Sequence, residues 1–173
     1  MLETERLLMR EFTPADLDTL VEQRSDPEVN KYLGGTRLQN PEKLAARLRF
    51  YIDCYDQYGF GTGAIIWKET GEIIGSSGLQ PLDGTSEIEV GYTLIKSFWR
   101  KGIGFETAKA WLDFGFNVKN LGRIVAVAYP ENTGSWRIME KLGMKHEKNA
   151  VFYGAECVFY AVSREEFNHL NNR

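Results

Sequence analysis

The chain has 173 residues, 43% hydrophobic and 26% charged, which suits one globular domain (residues 1–173) with a full-sized core. A net charge of −3 gives no whole-surface attraction to nucleic acid or to an anionic membrane, and no apolar run approaches the roughly 20 residues of a membrane span. Cys54, Cys157, His146 and His169 match no zinc-binding spacing, so no metal is expected. The opening residues, MLETERLLMREF, lack a signal-peptide layout, and free thiols in a reducing cytoplasm are the expectation.

Thr4 to Phe12 alternates weakly and reads as an opening strand. Thr13-Pro14-Ala15-Asp16 supplies an N-cap, a proline at the first helical position and an acid at the third. The helix that follows runs to about Ser25, with Leu17, Leu20, Val21 and Arg24 at helical spacing. Asp26-Pro27 interrupts it, and a short turn or helix ends near Leu33. Asn40-Pro41-Glu42 begins a second long helix with the stripe Leu44, Leu48, Tyr51, Ile52 and Tyr55, closed by Gly59. Gly63–Lys68 and Ile73–Leu79 are strands around a Thr70-Gly71 hairpin turn. After an Asp83-Gly84 turn, Glu87–Ile95 is a third strand, with Ile88, Val90, Tyr92 and Leu94 on one face and Glu87, Glu89 and Thr93 on the other. A helix from about 103 to 118, a strand Arg123–Tyr129, a capped helix Asn132–Leu142 and a last strand Ala155–Val162 complete the chain. The class is a mixed α/β or α+β single sheet with helices on both faces and an antiparallel meander in its middle.

Arg100-Lys101-Gly102-Ile103-Gly104-Phe105 stands between a strand and a helix. A helix start presents unpartnered N–H groups and the positive end of the macrodipole, and glycines admit a ligand close to the backbone. Basic residues beside them favour an anion, most naturally phosphate. The segment is neither a P-loop, which needs G-x-x-x-x-G-K-[ST], nor a dinucleotide fingerprint, which needs a third small residue. A plain helix start with a glycine hinge is the alternative. About 30 residues on, Tyr129-Pro130-Glu131-Asn132-Thr133-Gly134-Ser135 opens another helix, with Asn132 and Ser135 on one side of its start. Two such strand-to-helix junctions can share one long ligand with a phosphate end and an amide-rich arm.

In this pattern the chain resembles the GNAT superfamily of acetyl-CoA-dependent N-acetyltransferases, and within it the RimJ/RimL-like ribosomal-protein N-terminal branch. The matching segments are Glu3-Thr4-Glu5-Arg6-Leu7, Gly71-Glu72-Ile73-Ile74-Gly75, Glu89-Val90-Gly91-Tyr92, Trp99-Arg100-Lys101-Gly102-Ile103-Gly104 and Asn132-x-x-Ser135-x-x-x-x-Glu140-Lys141-Leu142-Gly143. The resemblance implies a mixed, mostly antiparallel, splayed sheet with acetyl-CoA as cosubstrate in the gap. It implies that backbone N–H groups of Arg100, Lys101, Gly102, Ile103, Gly104 and Phe105 take the pyrophosphate. Tyr92, Thr93 and Leu94 would flank the pantetheine arm, with Asn132 on that arm and Ser135 near the sulfur. Many superfamily members carry a tyrosine acid seven residues after that asparagine. Met139 stands there, leaving Ser135 or water to protonate the thiolate. Dimers are common in the family, and a homodimer is among the expectations.

The reaction implied is direct attack of a neutral amine on the thioester. An α-amine, with pKa about 8, deprotonates at little cost at pH 7, whereas a lysine amine at about 10.4 costs roughly 4–5 kcal/mol. Glu89 is the candidate base, acting through water. Tyr32, Leu33 and Gly34, with Glu89, are expected to border the acceptor. Glu87 and Glu89 would make that side acidic and suit a cationic amine. The favoured acceptor is a protein or peptide N-terminus. A small amine (polyamine, amino acid or aminoglycoside), a non-catalytic acyl-CoA-binding module and an ATP-binding protein are the alternatives.

Overall fold

A computed structural model describes residues 1–33 and 40–171. In chain order the elements are β1 (Leu2–Glu3), β2 (Leu7–Arg10), a 3-10 turn (Pro14–Asp16), α1 (Leu17–Ser25), α2 (Pro27–Asn30), α3 (Pro41–Tyr58), β3 (Thr62–Trp67), β4 (Ile73–Pro81) and β5 (Ile88–Leu94). There follow a 3-10 turn (Lys96–Phe98), α4 (Ile103–Asn117), β6 (Arg123–Ala128), α5 (Thr133–Lys141), β7 (Lys145–Phe152), β8 (Ala155–Ser163) and α6 (Arg164–Asn171). The strands form one sheet in the order β1-β2-β3-β4-β5-β6-β8-β7. Every pairing is antiparallel except β5 with β6. Among the described residues no helix is long and apolar enough to cross a membrane.

Alternation along the strands sends side chains to two faces. On one face Met9, Ile65, Leu79, Val90 and Ile124 meet Trp111, Leu112 and Phe116 of α4, Met139 of α5 and Phe167 of α6. On the other, Ala64 packs with Leu20 of α1 and with Leu48 and Tyr51 of α3. A smaller cluster of Val125, Phe152, Cys157 and Phe159 joins β6 to the β7–β8 hairpin. The sheet therefore carries helices on both faces, as expected. Buried hydroxyls fix α4 in place. Thr107 Oγ1 donates to Ser77 Oγ at 2.8 Å, and Trp111 Nε1 donates to the same oxygen at 2.9 Å. Across the sheet, Arg10 makes a paired contact with Asp16 (both 2.8 Å), tying β2 to the start of α1.

Three expectations change. The opening strand is two, because the chain turns at Thr4–Leu7, where Thr4 N donates to Leu7 O at 2.9 Å. β7 is anticipated only at its start, where His146 follows Leu142-Gly143-Met144, and without bounds. It begins Lys-His-Glu-Lys-Asn and lies exposed at the sheet's end, so no buried face forces hydrophobic alternation on it. The chain also ends in α6 instead of in a strand. Phe167 of α6 seats against Phe116 of α4 at 5.2 Å between ring centroids.

Candidate active site

β5 and β6 pair at one register position, Glu89 beside Val125. Beyond it β5 continues to Leu94 and β6 to Ala128 without pairing. The gap widens into a cleft of about 1020 Å³, at the upper end of ordinary ligand sites.

One end of the cleft is the start of α4. Arg100 (φ 59°) and Gly102 (φ 78°) both take left-handed backbone. A side chain at such a φ costs roughly 1–2 kcal/mol, which glycine avoids and Arg100 bears. No side chain caps α4, and its first helical bond runs from Glu106 N to Gly102 O at 3.0 Å. Among the described residues, the N–H groups of Arg100 through Phe105 have no acceptor. They form an open anion cradle reinforced by the helix dipole. The N-terminal segment braces this loop from outside. Arg6 Nη1 donates to Lys101 O at 3.0 Å and Nε to Glu106 Oε2 at 2.7 Å, while Thr4 Oγ1 donates to Glu106 Oε1 at 2.6 Å. Burial pushes the Glu106 carboxyl up, but these hydrogen bonds outweigh it and hold its pKa below the usual range. That bracing gives the Glu3-to-Leu7 motif its role. At Gly104, a Cβ would come within 2.8 Å of Tyr92 Cε2, because the Tyr92 ring crosses the first turn of α4.

Along the cleft stand Tyr92, Thr93, Leu94, Arg100, Gly102, Ile103, Gly104, Asn132 and Ser135. Lys101 and Phe105 do not line the cleft. The Lys101 ammonium lies 4.8 Å from the centroid of Phe98, and the Phe105 ring packs on the core. Asn132 Oδ1 caps α5 by accepting from Ser135 N at 3.3 Å, which leaves its NH₂ as the group able to donate. Burial raises the Tyr92 hydroxyl's pKa, partly offset by the neighbouring Ser135 hydroxyl. Met139 is buried in the wall and offers no proton.

At the other end Glu89 is 5% exposed, on the face covered by α1 and α3. Thr62 Oγ1 donates to Gln80 Oε1 at 2.9 Å, so Gln80 must present its NH₂ to Glu89, and it donates to Oε1 at 2.6 Å. The Tyr153 hydroxyl donates to the same oxygen. Oε2 accepts no hydrogen bond among the described residues. Burial pushes the Glu89 pKa above the usual carboxylate range, opposed by hydrogen bonds from Tyr153 and Gln80 and by the charge of Arg47. Burial and the facing carboxylate raise that of Tyr153. Tyr153 (φ 53°) and Gly154 (φ 78°) form the two-residue turn of the β7–β8 hairpin, and this turn delivers the hydroxyl.

Tyr32 and Leu33 line this end, and Gly34 lies outside the described residues. Glu87 is not in the cleft. It pairs with Arg123 at 3.2 Å. Among the described residues this region is lined by Glu28 and Glu89 together with Arg24, Lys31, Lys43 and Arg47, so the wall is not the acidic one expected from Glu87 and Glu89. Gln80, Tyr153, Arg24 and Arg47 were not singled out as site residues from the sequence. For Tyr153, the cue is Gly154, a turn residue two positions after Phe152. For Arg24, it is a cation within an apolar helical stripe.

An anion cradle at one end of a splayed sheet and a buried carboxylate at the other describe a group-transfer enzyme with a phosphate-bearing donor. The family model for the acetyltransferase (GNAT) domain matches residues 6–145, and the chain belongs to that family. It is 35% identical over 147 residues to the Bacillus licheniformis protein named uncharacterized N-acetyltransferase p20, covering 84% of this chain and 83% of that one. It is 31% identical over 173 residues to the uncharacterized N-acetyltransferase YnaD of Bacillus subtilis, covering 96% and 99%. A crystal structure of a GNAT-family acetyltransferase from Bacillus anthracis superposes with a TM-score of 0.79 at 28% identity, covering 95% of this chain and 99% of that one. The protein is an acetyl-CoA-dependent N-acetyltransferase.

Proposed function

We propose that the enzyme transfers the acetyl group of acetyl-CoA to an α-amine, in the manner of the RimJ/RimL-like branch. The observation that carries this reading is the position of Glu89 at the last paired register of β5 and β6, where the sheet opens. In this arrangement the CoA pyrophosphate takes the N–H groups of Arg100 to Phe105, with the Arg100 guanidinium beside it. The pantetheine arm lies between Tyr92–Leu94 and Asn132, and the thioester comes to the end of the splay near Glu89.

Glu89 Oε2 removes a proton from the acceptor ammonium, directly or through one water. The neutral amine attacks the thioester carbonyl carbon, a C–N bond forms, and the C–S bond then breaks. The second amine proton passes to solvent, and the departing thiolate takes a proton from the Ser135–Tyr92 hydroxyl pair, which regains one from solvent. A carboxyl raised by burial is a stronger base than an exposed one, and an α-amine asks less of it than a lysine. The cations around the acceptor end disfavour a polyamine, since like charge there opposes binding.

Calorimetry tests the donor half. Acetyl-CoA is expected to bind the wild type, with ATP and NAD as negative controls, and to lose affinity in Gly102→Glu. Equal binding by the variant removes the cradle from the reading. CoA release measured with peptides beginning Ser, Ala or Met, against small amines, tests the acceptor half. A clear preference for amines that are not α-amines, a polyamine or an aminoglycoside, overturns the α-amine assignment.

A further inference from the structure

Arg24 sits on α1 one turn after Leu20, on the buried face of the helix, and is 7% exposed. Among the described residues it makes no hydrogen bond and no ion pair. The segment outside the description, Gly34-Gly35-Thr36-Arg37-Leu38-Gln39, holds no acidic residue that could neutralise it. Burial lowers the Arg24 pKa, and the charge of another cation, Arg47 of α3, adds to that against an opposing contribution from Tyr51. Arg47 is itself without an ion pair among the described residues. It is held over the rings of Phe50, Tyr51 and Tyr153 at 5.6–5.8 Å. Both guanidiniums line the acceptor end of the cleft, and Arg47 also acts on Glu89.

A buried cation without a partner costs several kcal/mol, and a second one beside it adds to the cost. An oxyanion between them would remove both penalties, and guanidinium is the side chain best shaped to hold a carboxylate. We infer that the acceptor carries a carboxylate close to its reacting amine, and that Arg24 and Arg47 clamp this carboxylate while Glu89 faces the amine. The acceptor class is thus an α-amine within one residue of a carboxylate. It is either an acidic first residue of a peptide or a free amino acid. The inference rests on the α-amine reading above and narrows it.

The test uses acceptors that share an amine and differ in one charge: peptide amides beginning Glu or Gln, and Asp or Asn, and alanine against alaninamide. CoA release is followed with wild type, Arg24→Met, Arg24→Lys and Arg47→Gln. The wild type is expected to favour the carboxylate-bearing member at least ~10-fold in kcat/KM, mostly through KM, which is about 1.4 kcal/mol. In Arg24→Met the ratio is expected to fall toward one, with Arg24→Lys intermediate. A preference confined to the peptide pairs assigns the acidic side chain, and one confined to alanine assigns the free amino acid. Equal rates for both members of every pair overturn the inference while leaving the acetyltransferase reading intact. Should no acceptor turn over although acetyl-CoA binds, the α-amine reading fails by itself. The clamp is then read from thermal shifts with the same pairs, peptide amides beginning Glu against Gln and alanine against alaninamide, where the absence of an Arg24-dependent difference in every pair overturns it. Arg24→Met without ligand is expected to melt above the wild type, because a buried unpartnered charge is gone. A lower melting temperature would assign Arg24 a structural role and overturn the clamp.

Discussion

Replacing Glu89 by glutamine separates the base from its surroundings. Glutamine has nearly the same shape, and its Oε1 can still accept from Gln80 Nε2, now 2.6 Å away, and from the Tyr153 hydroxyl. The substitution removes the charge and the basic Oε2, leaving the packing in place. A general base contributes roughly 10²–10⁴-fold, so kcat is expected to fall at least ~10²-fold, or about 2.7 kcal/mol of activation free energy. The acetyl-CoA Kd should stay within about twofold, since the cradle lies at the other end of the cleft. The sign of the stability effect follows from the raised pKa. A carboxyl raised on folding binds its proton more tightly folded than unfolded. Its contribution is therefore most favourable below the unfolded pKa and is lost as pH rises through the folded one. Above its folded pKa the wild type has lost that contribution, and there Glu89→Gln should melt at the same temperature or higher. The assay is CoA release at saturating acetyl-CoA across pH, with melting curves in parallel. The wild-type profile should carry an acidic limb above the ordinary carboxylate range, which the variant lacks. Unchanged kcat removes Glu89 from the chemistry. A large drop in melting temperature would make its role structural.

Gly104→Val places a Cβ 2.8 Å from Tyr92 Cε2 and 3.2 Å from Ile138 Cδ1, so the ring must move into the cleft. Calorimetry should show acetyl-CoA affinity reduced about tenfold (about 1.4 kcal/mol), and equal affinity would put the donor elsewhere. Arg6→Ala removes the brace on Lys101 O and Glu106 and should raise KM for acetyl-CoA several-fold with KM for the acceptor unchanged. Parallel changes in both would refute a local brace. Hydrogen bonding to Arg10 holds the Asp16 carboxyl at a pKa of about 2, below its usual 3.8. This pair therefore stabilises the fold above pH ~4 and loses its contribution as pH falls toward ~2. Asp16→Asn should cost about 2 kcal/mol at pH 7 by denaturant titration. The gap from wild type should close across that acid window, and a gap independent of pH would exclude the ion pair as its cause.

Local signals in the chain determined most of the loop proposed here as the donor end. Gly102 and Gly104 before a helical run, with Arg100 and Lys101 beside them, state their chemistry within a few residues, because backbone N–H groups and a helix dipole are local properties. The caps at Thr13, Asn40 and Asn132 were legible for the same reason. Arg24 was legible as a member of the buried stripe of α1, though not as a charge without a partner among the described residues, since that is a fact about every neighbouring element. The acceptor end was decided by tertiary structure. Glu89 reads in sequence as one of three polar residues on an alternating strand. It is buried because α1 and α3 cover that face, and it is held by Gln80, nine residues earlier, and by Tyr153, 64 residues later. The sheet order sets β4 beside β5 and swings the β7–β8 turn over them. Glu87 is two positions away on the same side of the strand, but it meets Arg123 and stays outside the cleft. Period-two alternation assigns a side chain to a face of the sheet. Only the packing of distant segments on that face fixes its dielectric surroundings, its hydrogen-bond partners and its charge neighbours, and so whether a carboxylate is a solvated surface group or a buried base.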